Sequence, residues 1–214
     1  MKEGKNKMEN SKSAENNFVN LSGVVCEECI FSHEVYGEGF YIFKMEVKRL
    51  SENEDILPVT VSDRLIDVTS LKIGMNINVK GQMRSYNHYS SKKNKLILTT
   101  FAREIYTDCD LLSNPNEIFL NGYICKAPVY RVTPFGREIT DLLIAVNRSY
   151  GKSDYIPCIA WGRNAKFAGT LDVGKNIKIW GRIQSRTYLK RLDNDETEER
   201  TAYEVSISKI ELSK

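Results

Sequence analysis

A chain of 214 residues, 41% hydrophobic and 28% charged, has the composition of an ordinary globular protein with room for one large domain or two small ones. No apolar run approaches 20 residues and the first 17 residues hold no apolar segment, which excludes a transmembrane helix and a secretory signal. The net charge of +3 says little by itself, and five scattered cysteines, an odd number, point to reduced thiols in a cytoplasm rather than a disulfide framework.

Residues 1–17 are polar and of mixed charge and read as a disordered tail. From Phe18 the pattern turns β-like. FVNLSGVVCEECIF, GFYIFKMEVKRL and ILPVTVS alternate apolar with polar residues between Gly, Asn, Asp and Glu clusters. A helical candidate follows at 63–71, DRLIDVTSL, and then two more strands, GMNINVKGQMRSY and KLILTTFAREIY. The stretch 107–116, TDCDLLSNPN, reads as a linker between a first unit, 18–106, and a second, 117–214.

The second unit repeats the first. Leu21-Ser-Gly23 returns as Leu120-Asn-Gly122, Val47-Lys-Arg49 as Val146-Asn-Arg148 and Pro58 as Pro157, all offset by 99. After a one-residue slip, Leu71-Lys-Ile73-Gly74 returns as Leu171-Asp-Val173-Gly174, and Gly81-Gln-Met83-Arg-Ser85 as Gly181-Arg-Ile183-Gln-Ser185. The chain is two copies of one unit. Five antiparallel strands with a helix between the third and fourth is the layout of an OB-fold barrel, so the fold expected is all-β, two tandem five-stranded barrels. A small SH3-like or sandwich fold shares the gross pattern.

Charge separates the copies. Residues 18–106 hold 11 Lys and Arg against 11 Asp and Glu, whereas 117–214 hold 16 against 12. Five of those twelve acids lie in one run, Asp193, Asp195, Glu196, Glu198 and Glu199, so the rest of the second unit is a basic surface suited to a polyanion.

The second unit resembles the bacterial single-stranded DNA-binding proteins. IFLNGYICKAPVYRVTPFG, DLLIAVNRSYGK, DYIPCIAWGRNA, VGKNIKIWGRIQSRTY and TAYEVSISKIEL follow the family's order and spacing over nearly all of 118–212. The resemblance implies an OB fold with an open groove for single-stranded DNA and a bacterial, cytoplasmic, nucleoid-associated protein. It also implies a four-barrel assembly, hence a homodimer of this two-barrel chain. Single strands are held by cations along the backbone and by aromatic faces on which bases stack. The family's four stacking positions match Tyr150, Tyr155, Trp161 and Tyr188. The matching cations are Arg131, Arg148, Arg163, Arg182, Arg186, Lys190 and Arg191. Arg182, Gln184 and Arg186 share one face of a strand, which predicts a basic stripe on its outside.

The same positions in the first unit are Ser51, Ile56, Ser62 and His88, so its four stacking faces are missing, although Tyr86 and Tyr89 flank the last. Arg49 and Arg64 remain, Arg84 stands against Gln184 as a further candidate, and its long loop carries Lys92 and Lys93. The first unit is therefore expected to bind weakly, through that loop and Tyr86, or to act as a structural barrel. Trp180, against Lys80 in the first unit, is expected to face outward as a stacking surface or a subunit contact.

Cys26-Glu-Glu-Cys29 has redox or zinc spacing but lacks a second ligand pair, so no metal and no cofactor are expected. No nucleophile–base pair or phosphate-cradling loop appears, which points away from an enzyme. Family members end in an acidic tail that recruits replication and repair proteins. This sequence ends ISKIELSK, so recruitment by that route is not expected. Two other readings stay open: an OB-fold adaptor of replication restart acting through protein contacts, and an RNA-binding OB protein.

Overall fold

The structure, a computed structural model, describes residues 16–51, 53–89, 94–191 and 197–213. The first group of strands is β1 (Asn17–Val25), β2 (Ile30–Val35), β3 (Glu38–Lys48), β4 (Glu54–Ser62), β5 (Asn76–Tyr89) and β6 (Asn94–Thr107). The second is β7 (Asn116–Ile124), β8 (Val129–Val132), β9 (Glu138–Asn147), β10 (Ser153–Trp161), helix α1 (Arg163–Gly169), β11 (Asn176–Arg191) and β12 (Thr197–Leu212). The first run of the sequence thus folds as two pieces, β1 and β2, separated at Cys26–Cys29. Among the described residues no helix is long and apolar enough to cross a membrane.

The two groups are the same OB-fold unit. Alternation buries Leu21, Met45, Leu57, Ile77 and Val79 in the first, and their repeat partners Leu120, Ile144, Ile156, Ile177 and Ile179 in the second. Each such side chain contributes about 1.5–3 kcal/mol by leaving water. Closure comes from β1 pairing with β3 and β7 with β9. Both barrels bend at a bulge, between Lys80 and Gly81 and between Trp180 and Gly181. A Cβ on Gly81 would collide with the carbonyl oxygen of Phe101, and one on Gly181 with that of Ser206. The repeated glycine is therefore a requirement of close backbone approach.

The helices differ. α1 presents Ala165 and Ala168, three apart, to the core. The matching stretch of the first unit yields only a 3-10 turn at Val68–Ser70, where the Asp67 side chain accepts the Thr69 amide at 3.0 Å. An Asx cap followed by β-branched Val68 and Thr69 favours a turn over the helix expected across 63–71.

The barrels join into one sheet of order β2-β3-β4-β6-β5-β1-β7-β11-β12-β10-β9-β8, which reads the same from either end under the repeat. At its centre β1 and β7 run antiparallel, with Val19 opposite Ile118. Those two residues are repeat partners, so a pseudo-two-fold axis passes between them. Two fully buried carboxylates flank this junction. Asp55 accepts from Arg49 Nη2 at 2.7 Å in its own unit, and from the Ser185 amide at 2.7 Å in the other, with Arg182 Nη1 at 3.4 Å. Asp154 accepts from the Ser85 amide at 2.7 Å and Arg84 Nη1 at 3.0 Å across the junction, with Arg148 Nε of its own unit at 3.3 Å. Repeat positions 55 and 154 thus clamp each unit to the other.

Candidate nucleic-acid interface

The aromatic candidates of the second unit lie on its outer surface. β10 alternates Asp154, Ile156, Cys158 and Ala160 inward, leaving Tyr155 and Trp161 on the opposite side, 47% and 36% exposed. Six residues of strand separate them by about 20 Å. Trp161 is not a loose ring: its Nε1 donates to Ser206 Oγ of β12 at 3.2 Å. That bond fixes one edge of the indole and leaves the exposed part of its surface available to a base. Gly162, at φ 54°, then turns the chain into α1 and places Arg163 beside the indole in sequence.

Tyr150 is almost wholly exposed at the β9–β10 turn, at φ 63°, in the left-handed region that a tyrosine seldom adopts. Tyr188 lies on the long ribbon formed by β11 and β12, with the Arg186 guanidinium 5.7 Å from its ring centroid. Cation and ring there present one amphipathic surface. Two ring faces escaped the sequence reading, Tyr36 and Phe135, both almost entirely exposed at the tips of the β2–β3 and β8–β9 hairpins. They are repeat partners, each followed by a glycine of positive φ, and an aromatic-Gly pair at a repeated turn was the available signal.

The cations divide into two sets. Arg163 and Arg186 stand on the outer surface and carry no ion pair among the described residues. Lys190 and Arg191 continue the ribbon beyond Tyr188. Arg131 is spanned by Asp141 at 2.9 Å, and Arg64 by Glu38 at 3.4 Å, both at exposed sites where such pairs are weak. Arg49, Arg84, Arg148 and Arg182 instead serve the two buried carboxylates at the junction. Burial holds the Arg84 guanidinium below its usual range, and Asp154 offsets this only in part. Arg182 is lowered by burial and by Arg49 nearby. Arg49 is raised by its hydrogen bond to Asp55.

The uniform basic stripe expected on β11 is therefore corrected. Gln184 is buried and donates to Glu204 at 2.7 Å, while Arg182 is turned to Asp55 of the other unit. The first unit meets that half of the strand, so Gln184 is buried and Arg182 is partly covered, while Arg186 and the residues beyond it are more open. Trp180 packs on Phe119 at 5.1 Å between ring centroids, with Lys209 Nζ 4.6 Å from its own. Phe18 pairs with Phe119 across the junction, and the row borders a groove of about 520 Å³. Lys92 and Lys93 lie outside the described residues, as do the side chains of His88 and Tyr89. Burial raises the thiols of both Cys26 and Cys29, and nearby Glu27 raises Cys26 further, which keeps them protonated.

The model of the single-strand binding protein family matches residues 115–213. A single-stranded DNA-binding protein of Clostridium tetani is 38% identical over 80 residues, which make up 34% of this chain and 55% of that protein. The chain spans about half the length of the curated relatives it matches. The wild-type single-stranded DNA binding protein of Thermus aquaticus superimposes with a TM-score of 0.71 at 20% identity, over 92% of this chain and 93% of that one. The dimeric N-terminal domain of PriB from Thermoanaerobacter tencongensis is 47% identical over 44% of this chain and 98% of its own, with a TM-score of 0.39. The Thermus likeness covers both barrels and is a likeness of fold, and the sequence match covers the second: residues 115–213 are similar to the single-strand binding protein family.

Proposed function

We propose that this protein binds single-stranded DNA without marked sequence preference and without catalysing a reaction on it. The strand runs over the outer surface of the second barrel, its bases stacking on Tyr155, Trp161, Tyr188 and Tyr150 and its phosphates meeting Arg163, Arg186 and Lys190. The observation that carries this reading is the anchored indole of Trp161 on the same side of β10 as Tyr155, followed in sequence by an exposed Arg163 that has no ion pair among the described residues. Stacking on such platforms contributes about 1–3 kcal/mol per base and tolerates any base. The family's role in replication, recombination and repair comes with the proposal.

Titration with oligo-dT at low and high salt, followed by Trp fluorescence, tests it. Strong quenching is expected, lost in large part in Trp161→Ala and weakening steeply with salt. Absence of quenching together with tight binding to a protein would favour the adaptor reading, and equal affinity for oligo-rU the RNA reading.

Assembly follows from the same proposal. Two chains would bring four barrels together, and the aromatic row Phe18–Phe119–Trp180 beside the pseudo-two-fold axis supports a homodimer contact there. Light scattering is expected to give the dimer mass, and Trp180→Lys, the residue of the first unit, to shift it towards monomer. A wild-type monomer at micromolar concentration would overturn the assembly.

A further inference from the structure

The first barrel has aromatic surface after all, on strands where the repeat does not put it. In the second unit Ile159 of β10 lies opposite Ser206 of β12, the serine that holds Trp161. In the first, Thr60 of β4 lies opposite Phe101 of β6, at the matching place. The aromatic and the small residue have exchanged strands: Trp161 and Ser206 in one unit, Ser62 and Phe101 in the other. Phe40 packs against Phe101 at 5.8 Å, and His33 stacks on Phe40 at 5.0 Å with 15° between planes. A register shift between Phe31 and His33, absent from β8–β9, turns His33 onto that ring. Arg103 occupies the bulge opposite Gly81 and lies 5.1 Å from the Phe101 centroid.

His33, Phe101 and Arg103 line a cleft of about 310 Å³ together with Thr60, Thr99 and Ser85. Tyr86, Arg84 and Arg148 complete its lining. Arg84 and Arg148 share the single carboxylate of Asp154, and Arg103 has no ion pair among the described residues. Three guanidinium groups against one carboxylate leave the cleft positive. Flat rings beside uncompensated cations are what a base and its phosphate require.

We propose that the first unit holds its own single-stranded DNA site, in which Phe101 and His33, both braced by Phe40, stack the bases and Arg103, beside the Arg84–Arg148 pair, takes the phosphates. This rests on the reading of the chain as a single-strand binder and changes the first barrel from scaffold to second grip. Arg148 comes from the second unit, so the cleft is complete only when both barrels are joined.

The test uses the full chain and oligo-dT carrying 5-iodouracil. Wild type and Trp161→Ala are both expected to cross-link to the β6 peptide containing Phe101. Phe101→Ser, which installs the residue of the second unit, should lower the residual affinity of Trp161→Ala by about five-fold or more, with Phe101→Tyr restoring it. Arg103→Gln should lower the salt slope by about one. If wild type binds and Trp161→Ala weakens it, while Phe101→Ser and Arg103→Gln change nothing and no first-unit peptide cross-links, this proposal falls alone. If wild type does not bind, both readings fall.

Discussion

The two barrels share a skeleton and differ in what covers it. Their cores match position for position, Leu21 with Leu120, Leu57 with Ile156, Val79 with Ile179. Their outer surfaces do not. Where the second unit sets Tyr155 and Trp161 on one strand, the first has Ile56 and Ser62, and draws its rings from β2, β3 and β6. The difference teaches that repeat alignment follows the constraint of burial. A core position is fixed by the pleat, whereas a surface ring can be supplied by any strand that borders the same patch.

The largest expected effects break the junction that both units share. Asp154→Ala would leave Arg84 and Arg148 without their carboxylate, and Asp55→Ala would do the same to Arg49 and Arg182. Each is expected to destabilise by about 3–5 kcal/mol, the effect of unpairing a buried charge. Urea denaturation should show the two variants alike; a large inequality would break the pseudo-symmetry of the clamp.

Next comes the aromatic contrast. Trp161→Ala is expected to weaken oligo-dT binding by about 1–3 kcal/mol, and Ser62→Ala at the matching position to change nothing measurable by fluorescence titration. Ser62 hydrogen-bonds Glu38 and the Arg64 amide, so its loss acts on the loop and not on a base.

A smaller effect sharpens the charge comparison. Arg163→Gln should reduce the salt slope of binding by about one, since the side chain has no ion pair among the described residues. Arg64→Gln, its repeat partner at 3.4 Å from Glu38, should reduce it less. Equal reductions would show that the Glu38 pair yields freely to phosphate. The smallest effect concerns the thiols. Burial raises Cys26, Cys29 and Cys125, and raises Cys158 most, so all four should alkylate slowly at pH 7.5, Cys158 slowest. Rapid modification of Cys26 and Cys29 would reopen a redox role for the C-x-x-C pair.

The repeat of two OB-type units and most of their strands could be read from the sequence alone, because they depend on local alternation and on a repeat spaced 99–100 residues apart. The splitting of the first run into β1 and β2, the bulges at Gly81 and Gly181 and the loss of the first unit's helix could not. The sequence also singled out Trp161, since an aromatic between apolar β-residues and Gly-Arg is visible along one strand. It could not show that Arg84, Arg148, Arg49 and Arg182 converge on two buried carboxylates, because each group joins residues on different strands and in different barrels. Nor could it show that Phe101 stands where the second unit has Ser206, the serine that holds Trp161. Only the lateral pairing of β4 with β6 sets that ring beside Thr60, and lateral neighbours leave no periodic trace in a single chain.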